Sequence, residues 1–441
     1  MQNEKMDMKK YILSIVFIFL LLAGCTTPNE PEAKTLRLAV FGAFEFSNSE
    51  LTKWVNKYNQ DTVGVTIEMV NYSENVSDPF EALNQIKIEI AAGKGPDLIN
   101  FNNLSYSPLD ASCGILADLY PLMQNDNFFN RQDFYGNIID SFSIGDSLYV
   151  LVPNYRIASF VTANKELSGL ERMDISDLII AYDLKDEHTI LFPGETKNTV
   201  LGMICYRSLE NFIDWDKGIC HFNSDSFKNI LHFANRFPLV LNFADDHSVK
   251  DFFTEGRTIL YPVSISNVYE TAGIRMLYGK TPTYIGYPFD SGNGHMAMFN
   301  NIAIGISATS KYKDEAWSFL KSFLESEYQN DTKGLPLKIS SLELKLAAAM
   351  NVEYDLNEEK IIKEQVRFEG EEPINIYAIT NEDAEILKKI ISKIEFNGQI
   401  DGDLYAIILE EAEYVFNDNR SVDVIADIIQ NRVSIYMKEK K

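Results

Sequence analysis

Histidine and cysteine are scarce: the 441 residues hold five of the first and four of the second. His188, His221, His232, His247 and His295 include no pair at the i, i+4 spacing that sets two imidazoles on one helix face. No histidine-rich metal centre is therefore expected. Basic residues are in the minority, 40 Lys and Arg against 64 Asp and Glu, a net charge of −24. Such a surface repels phosphate backbones, so no nucleic-acid partner is expected. Nucleophile elbows and zinc-type histidine motifs are missing, and Gly93-Lys94-Gly95 lacks the Ser or Thr that a phosphate loop needs after its lysine. There is no internal repeat and no long low-complexity segment. What remains is a globular composition, 46% hydrophobic, 12% aromatic and 24% charged. A chain of this length makes two or three domain-sized units and buries a core without staples.

The N-terminus carries a compartment signal. Lys9 and Lys10 precede an apolar run from Tyr11 to Leu22, interrupted by Ser14. A helix of that length rises about 18 Å, short of the roughly 30 Å hydrocarbon core, so it reads as a secretory signal over 1–24 and not as a membrane span. The run ends in Leu22-Ala23-Gly24-Cys25, which resembles the lipobox of bacterial lipoproteins. That resemblance implies lipidation of Cys25, a membrane anchor and an extracytoplasmic location. Residues 25–34, with Pro28 and Pro31, have the composition of a tether. The body keeps Cys113, Cys205 and Cys220. Burial is the expectation for each thiol; Cys205 and Cys220 are the closest pair in sequence, and a bridge between them is left open.

The first hundred residues after the tether are the most legible. Thr35 to Phe41 alternates as a strand. Ser47 and Glu50 are placed as a capping box, followed by a stripe of Leu51, Trp54, Val55 and Tyr58. Val63 to Val70 reads as a second strand. Asp78-Pro79 opens a second helix with Leu83, Ile86 and Ile90 on one face, and Gly93 closes it. Asp97 to Phe101 is a third strand. This alternation predicts an α/β fold with a parallel sheet and right-handed crossovers. Further on, 314–324, 404–416 and 421–437 read as helices, and the acidic stretch 357–372 as a solvated face or loop. In open α/β sheets ligands bind beyond the carboxyl ends of the strands. That rule points to the loops holding Phe44 and Glu45 after the first strand, and Asn102, Asn103 and Tyr106 after the third.

Several segments resemble the family 1 extracellular solute-binding proteins, the maltodextrin-binding-like sugar receptors of ABC importers. Gly93-Lys94-Gly95-Pro96-Asp97 is similar to the family's helix-to-strand turn, and Gly114 to Leu119 with Pro121-Leu122 to its Gly-x-Leu-x-Asp-Leu-x-Pro-Leu segment. Tyr149 to Pro153 with Asn164-Lys165-Glu166-Leu167 resembles its crossing between lobes. Phe252 to Arg257 resembles its Phe-x-x-Gly-Arg signature, and Ser310-Lys311 with Glu315-Ala316-Trp317 a later helix. The chain departs from the family at Val161-Thr162-Ala163, where aromatics are common, and at Tyr261-Pro262-Val263-Ser264, where many members carry glycine and tryptophan.

The resemblance implies a two-lobed periplasmic-binding-protein-like fold with a hinge. Lobe 1 would be 35–150 plus 290–325, and lobe 2 would be 155–287 plus 326–441. It implies a monomer that captures a mono- or oligosaccharide, delivers it to the transmembrane subunits of an ABC permease, and uses no cofactor, metal or catalytic residue. Sugars need planar side chains for their C–H faces and polar groups for their hydroxyls. To the five loop residues above are added Tyr155 and Arg156 from the crossing, and Trp215, Tyr269, Tyr287 and Asp290 from lobe 2 and the return segment. The turn 291–294 could also bring backbone to a ligand. A lipoprotein that senses or adheres without a transporter, and a glycan-acting enzyme with paired carboxylates, are the rival readings.

Overall fold

The computed structural model describes residues 33–43, 49–104, 106–205, 208–240, 251–252, 255–290, 292–368, 372–399 and 401–440. Cys25, Phe44, Glu45, Ser47 and part of the Phe252 to Arg257 segment lie outside them. No helix among the described residues is long and apolar enough to cross a membrane.

The described residues build two main sheets and two two-stranded ones. The first holds β1 (Lys34–Val40) between β2 (Val65–Asn71) and β3 (Leu98–Asn100), all parallel. Two helices make the crossovers, α1 (Glu50–Asp61) and α2 (Pro79–Ala91). The expected caps hold at α2, where the Asp78 side chain accepts from Phe80 N. At α1 the cap is Ser49, which accepts from Thr52 N, and not Ser47. Glu50 is thereby turned away from a capping role and meets Asn154 instead. Leu51 and Val55 are buried, while Val63 is 95% exposed ahead of the second strand.

The second sheet is centred on β4 (Asn154–Thr162). Antiparallel to it run β5 (Tyr261–Ile265), β6 (Thr283–Tyr284), β7 (Met296–Phe299) and, later in the chain, β9 (Leu335–Pro336). The chain returns to the first sheet as β8 (Ile304–Ile306), antiparallel to β3. A hairpin of β10 (Glu364–Val366) and β11 (Ile374–Ile376) follows, and β12 (Phe396–Asn397) completes the second sheet beside β7.

Strand alternation divides the core in two. Tyr155, Ile157 and Val161 of β4 join a core shared with the first sheet, whereas Ala158 and Phe160 face the other way. That second face is covered by α3 (Ile175–Asp183), α4 (Lys197–Cys205) and α5 (Asp225–Ala234). On the opposite face lies α6 (Glu270–Tyr278), followed in sequence by α7 (Lys313–Ser322), α8 (Ser326–Asp331), α9 (Ile339–Met350) and α10 (Asn381–Ser392). The closing pair, α11 (Gly402–Phe416) and α12 (Val422–Glu439), packs into the second core through Ile425, Ile429 and Val433.

Segments crossing between the sheets are tied together where β4 begins. Asn154 Nδ2 lies 2.6 Å from Tyr328 Oη and 2.9 Å from Thr332 Oγ1, and Gln329 Nε2 donates to Pro153 O at 2.8 Å. A side chain on Gly334 would collide with Asn300 and Asn154. Among the described residues the cysteines do not bridge. Cys205 is buried, and Cys220 Sγ sits 3.3 Å from Ser434 Oγ. Cys113 is exposed, against expectation, at the end of a kinked turn where Gly114 takes φ 93°. The acidic stretch 357–372 is a solvated loop only as far as β10, where Val366 turns inward to 7% exposure.

Candidate functional site

A cavity of about 540 Å³ opens beside the start of β4, on the second core's face. Small-molecule sites usually fall between about 300 and 1,000 Å³. Its floor is the sheet: Arg156 and Ala158 from β4, Pro262 to Ser264 from β5 and Met298 from β7. Arg156, Ala158, Pro262, Ser264 and Met298 share a face because Ala158 pairs with Ser264, and Arg156 with Met298, while Val263 between them belongs to the first core.

One wall is the first half of α4. Thr196 and Thr199 cap that helix reciprocally, Thr199 N donating to Thr196 Oγ1 and Thr196 N to Thr199 Oγ1, at 3.2 and 2.6 Å. The cap presents Asn198 and Thr199 to the cavity, and Met203 follows one turn on. The facing wall is α11, through Tyr405 and Leu409. Its start is fixed by Asp401, which accepts from Leu404 N at 3.1 Å and from Tyr436 Oη at 2.8 and 2.9 Å. A Cβ on Gly202 would strike the Tyr405 hydroxyl, so glycine is what lets the two helices close to this separation.

Tyr287 completes the lining. Its ring lies 4.4 Å from that of Phe160, and its N donates to Gly294 O at 2.8 Å. Gly294 takes φ 65°, and a side chain there would run into the Tyr287 backbone, so the turn needs glycine twice over. Apolar patches from Met203, Val263, Met298, Leu409 and Tyr287 thus alternate with hydrogen-bonding groups on Arg156, Asn198, Thr199, Ser264 and Tyr405.

A second group of the expected residues meets elsewhere. Trp215 Nε1 donates to Glu210 Oε1 at 2.9 Å. Burial pushes the Glu210 carboxyl up to about 7; the Trp215 bond opposes the rise and Asp214 adds to it. Tyr106 is 6% exposed, with Phe101 and Phe299 at 5.4 and 5.1 Å, and its hydroxyl is raised by burial and then by Glu210. One residue packed in each core, Tyr106 and Trp215, therefore lies near this carboxyl. Nearby, Asn211 Oδ1 accepts from Asp290 N at 3.2 Å, and Asp290 is exposed.

The other candidates are dispersed. Asn103 is exposed at φ 62°, its Nδ2 4.0 Å from where Gly42 would carry a Cβ, so the ends of β1 and β3 do lie side by side. Asn102 beside it is half-buried. Tyr155 is fully enclosed in the first core, and burial raises its hydroxyl well above the usual range. Tyr269 caps α6, half-buried near Lys363 and Glu364. Of the expected residues, Arg156 and Tyr287 line the cavity. Asn198, Thr199 and Tyr405 were missed, although each sits in the first turn of a helix, where side chains and backbone donors point outward together.

The chain is similar in fold to several solved structures. One is the sugar-binding protein MalE from Xanthomonas citri, 14% identical, covering 92% of this chain and 98% of that one with a TM-score of 0.56. A periplasmic oligogalacturonide binding protein from Yersinia enterocolitica is 12% identical over 92% and 100%, also at 0.56. An ABC substrate-binding protein from Listeria monocytogenes in complex with cycloalternan is 15% identical over 92% and 99%, at 0.52. No curated protein matches the sequence. The family described as bacterial extracellular solute-binding proteins matches residues 53–335, well over half the chain. With its two sheets, its crossings and its cavity at the start of β4, the chain belongs to the bacterial extracellular solute-binding proteins.

Proposed function

We propose that the protein captures a carbohydrate between two lobes and hands it to the membrane subunits of an ABC importer, held to the cell surface by a lipid on Cys25. The lobes would be 35–150 with 290–325, and 155–287 with 326–441. One observation carries the carbohydrate part of the reading: a cavity, lined by the second lobe apart from Met298, in which apolar patches alternate with Arg156, Asn198, Thr199 and Ser264. A sugar ring presents the matching surface, apolar C–H faces rimmed by hydroxyls. Arg156 and Tyr287 contact the ligand from the cavity, with Asn198, Thr199 and Tyr405. Asn102 and Asn103, with Phe44 and Glu45 outside the described residues, are kept as candidate contacts from the first lobe. Solved structures of similar fold include a sugar-binding protein, an oligogalacturonide binding protein and a substrate-binding protein in complex with cycloalternan, which supports the carbohydrate class.

The test is a melting-temperature panel of mono- and oligosaccharides, amino acids and metal ions. A ligand at about a hundred times its dissociation constant adds about 2.7 kcal/mol of stability. A shift with one glycan series and no turnover is the expected result. A flat response to every sugar, alongside a shift with an amino acid or metal, overturns the carbohydrate assignment.

A further inference from the structure

A cavity of about 440 Å³ lies where three segments meet: the loop 168–171 after β4, residues 281–284 leading through β6, and α10 with the residue that ends it. It shares no lining residue with the Arg156 cavity. The most deeply buried polar group in its lining is His295, just ahead of β7 and 1% exposed. Ser159 Oγ of β4 lies 2.9 Å from the Nδ1 of this imidazole. No other side-chain hydrogen bond reaches the ring among the described residues, which leaves Nε2 for the cavity. A buried ring nitrogen without a partner costs free energy unless the space beside it supplies one.

Two lysines border the same space. Lys389 and Lys393 are four residues apart, so they share one face of the end of α10. Neither side chain makes an ion pair or hydrogen bond among the described residues, in a chain with 64 acidic and 40 basic side chains. Lys388, beside them, does find carboxylates, Glu343 at 2.9 Å and Glu385 at 3.6 Å. The C-terminal dipole of α10 is equivalent to about half a negative charge, less than one ammonium group. Both lysines act on the imidazole: burial lowers His295 most, and Lys393 and Lys389 lower it further. Two carboxylates also line the cavity without pairing with either lysine. Glu382 accepts from Thr281 Oγ1 at 3.0 Å, and Glu171 is exposed.

We infer that this cavity binds a small oxyanion, a phosphate or carboxylate group, between the ammonium groups of Lys389 and Lys393 and the Nε2 of His295. Such a ligand selects the ring form with its proton on Nε2, Ser159 then donating to Nδ1. Hydrogen bonds from ammonium or imidazole N–H to a charged oxygen are the strong kind, and the anion offsets the two unneutralised charges at once. Glu171 and Glu382 repel an extended polyanion, which restricts the site to a small one. The site stands apart from the carbohydrate reading and holds whatever solute the Arg156 cavity takes.

The test is calorimetry on the full chain in detergent with inorganic phosphate, sulfate, acetate and succinate, against sodium chloride of equal ionic strength. Saturable binding of at least one of these oxyanions, and none of chloride, is the expected result. A preference for phosphate and sulfate marks a phosphate-type ligand; a preference for acetate or succinate marks a carboxylate. Lys389→Gln and Lys393→Gln should each weaken binding roughly tenfold or more. Glu171→Gln, at an exposed position, should tighten it about twofold, a gain that a misfolded variant does not give. Absence of oxyanion binding beyond that of chloride overturns the site. So does oxyanion binding that both lysine variants leave unchanged.

Discussion

The cavity beside Arg156 and the junction at Glu210 both draw on the loop around Tyr287 to Asp290, yet their aromatic residues are used in opposite ways. In the cavity, Tyr287 is backed by Phe160 and turns toward open space with Met298 and Leu409 around it. In the junction, Tyr106 is held between Phe101 and Phe299, and the Trp215 N–H is already given to Glu210. The junction's indole N–H is consumed within the protein, while the side chains of the cavity border a space large enough for a small molecule. An aromatic residue beside a cleft therefore says little until its polar atoms and both ring faces are accounted for.

The sharpest way to break the contrast is through pH at Glu210. Its folded-state value of about 7 lies above the ordinary 4.5, so the folded protein holds this proton more tightly than the unfolded chain. Stability from this group is present below about pH 4.5 and is lost as pH rises through 7, a cost of about 3 kcal/mol on the alkaline side. His295 works the other way over an overlapping range. It is 1% exposed, and burial lowers it to about 4, so protonation of the unfolded chain below about pH 6.5 removes stability. The readout is therefore the difference between the native protein and Glu210→Gln in denaturant melts from pH 4 to 8. The variant should gain on the native protein as pH rises. A parallel pair of profiles would mean that Glu210 is not held protonated, and the junction would lose its distinguishing feature.

Next in size is Arg156→Ala. Hydrogen bonds to a charged group contribute about 1.5–3 kcal/mol, so the dissociation constant should rise by roughly tenfold to a hundredfold in calorimetry. Trp215→Ala, in the same assay, should change it by far less. Equal losses at both positions would erase the division between binding cavity and closed junction. Smaller again is Asp110→Asn. This 4% exposed carboxylate pairs with Lys87 of α2 at 2.7 Å and with Lys440, after α12, at 3.2 Å, joining helices of the two cores. Both lysines reach solvent once released, so the cost should be about 1 kcal/mol in a melt. A small-angle scattering profile unchanged in radius would place that cost in local packing rather than in opening of the molecule.

The first sheet was legible because local signals agreed: caps, stripe spacing and strand alternation pointed to β1, α1, β2, α2 and β3 within a few residues. Even there the cap is Ser49 rather than the expected Ser47, two residues on, and Glu50 meets Asn154. The second sheet was less legible for a physical reason. Its centre, β4, is buried on both faces, so its alternation of partners leaves no polar trace in sequence, and Tyr155 and Arg156 point to opposite cores. The cavity was half hidden on the same account. Arg156 and Tyr287 were named from the crossing and the return segment, but Asn198, Thr199 and Tyr405 become neighbours only when α4 and α11 pack against Gly202. Polar residues in first turns are common, and nothing local separates those that face a cavity from those that face water.

The smallest effect should come from Trp215→Phe, which keeps the ring and removes the indole N–H. The Trp215 bond is what draws the Glu210 carboxyl downward, against burial and Asp214. Without it, Glu210 should hold its proton to still higher pH. The bond is stronger to the ionised carboxylate than to the neutral acid, so its loss should cost up to about 1 kcal/mol at pH 8 and much less at pH 5. Denaturant melts of the variant at those two pH values decide the matter. A cost confined to pH 8 would mean that Trp215 acts through its hydrogen bond to the junction's carboxyl. An equal cost at both would mean that only its packing against the second core counts, and the residue would then stand with Phe212 and Phe222 as core rather than junction.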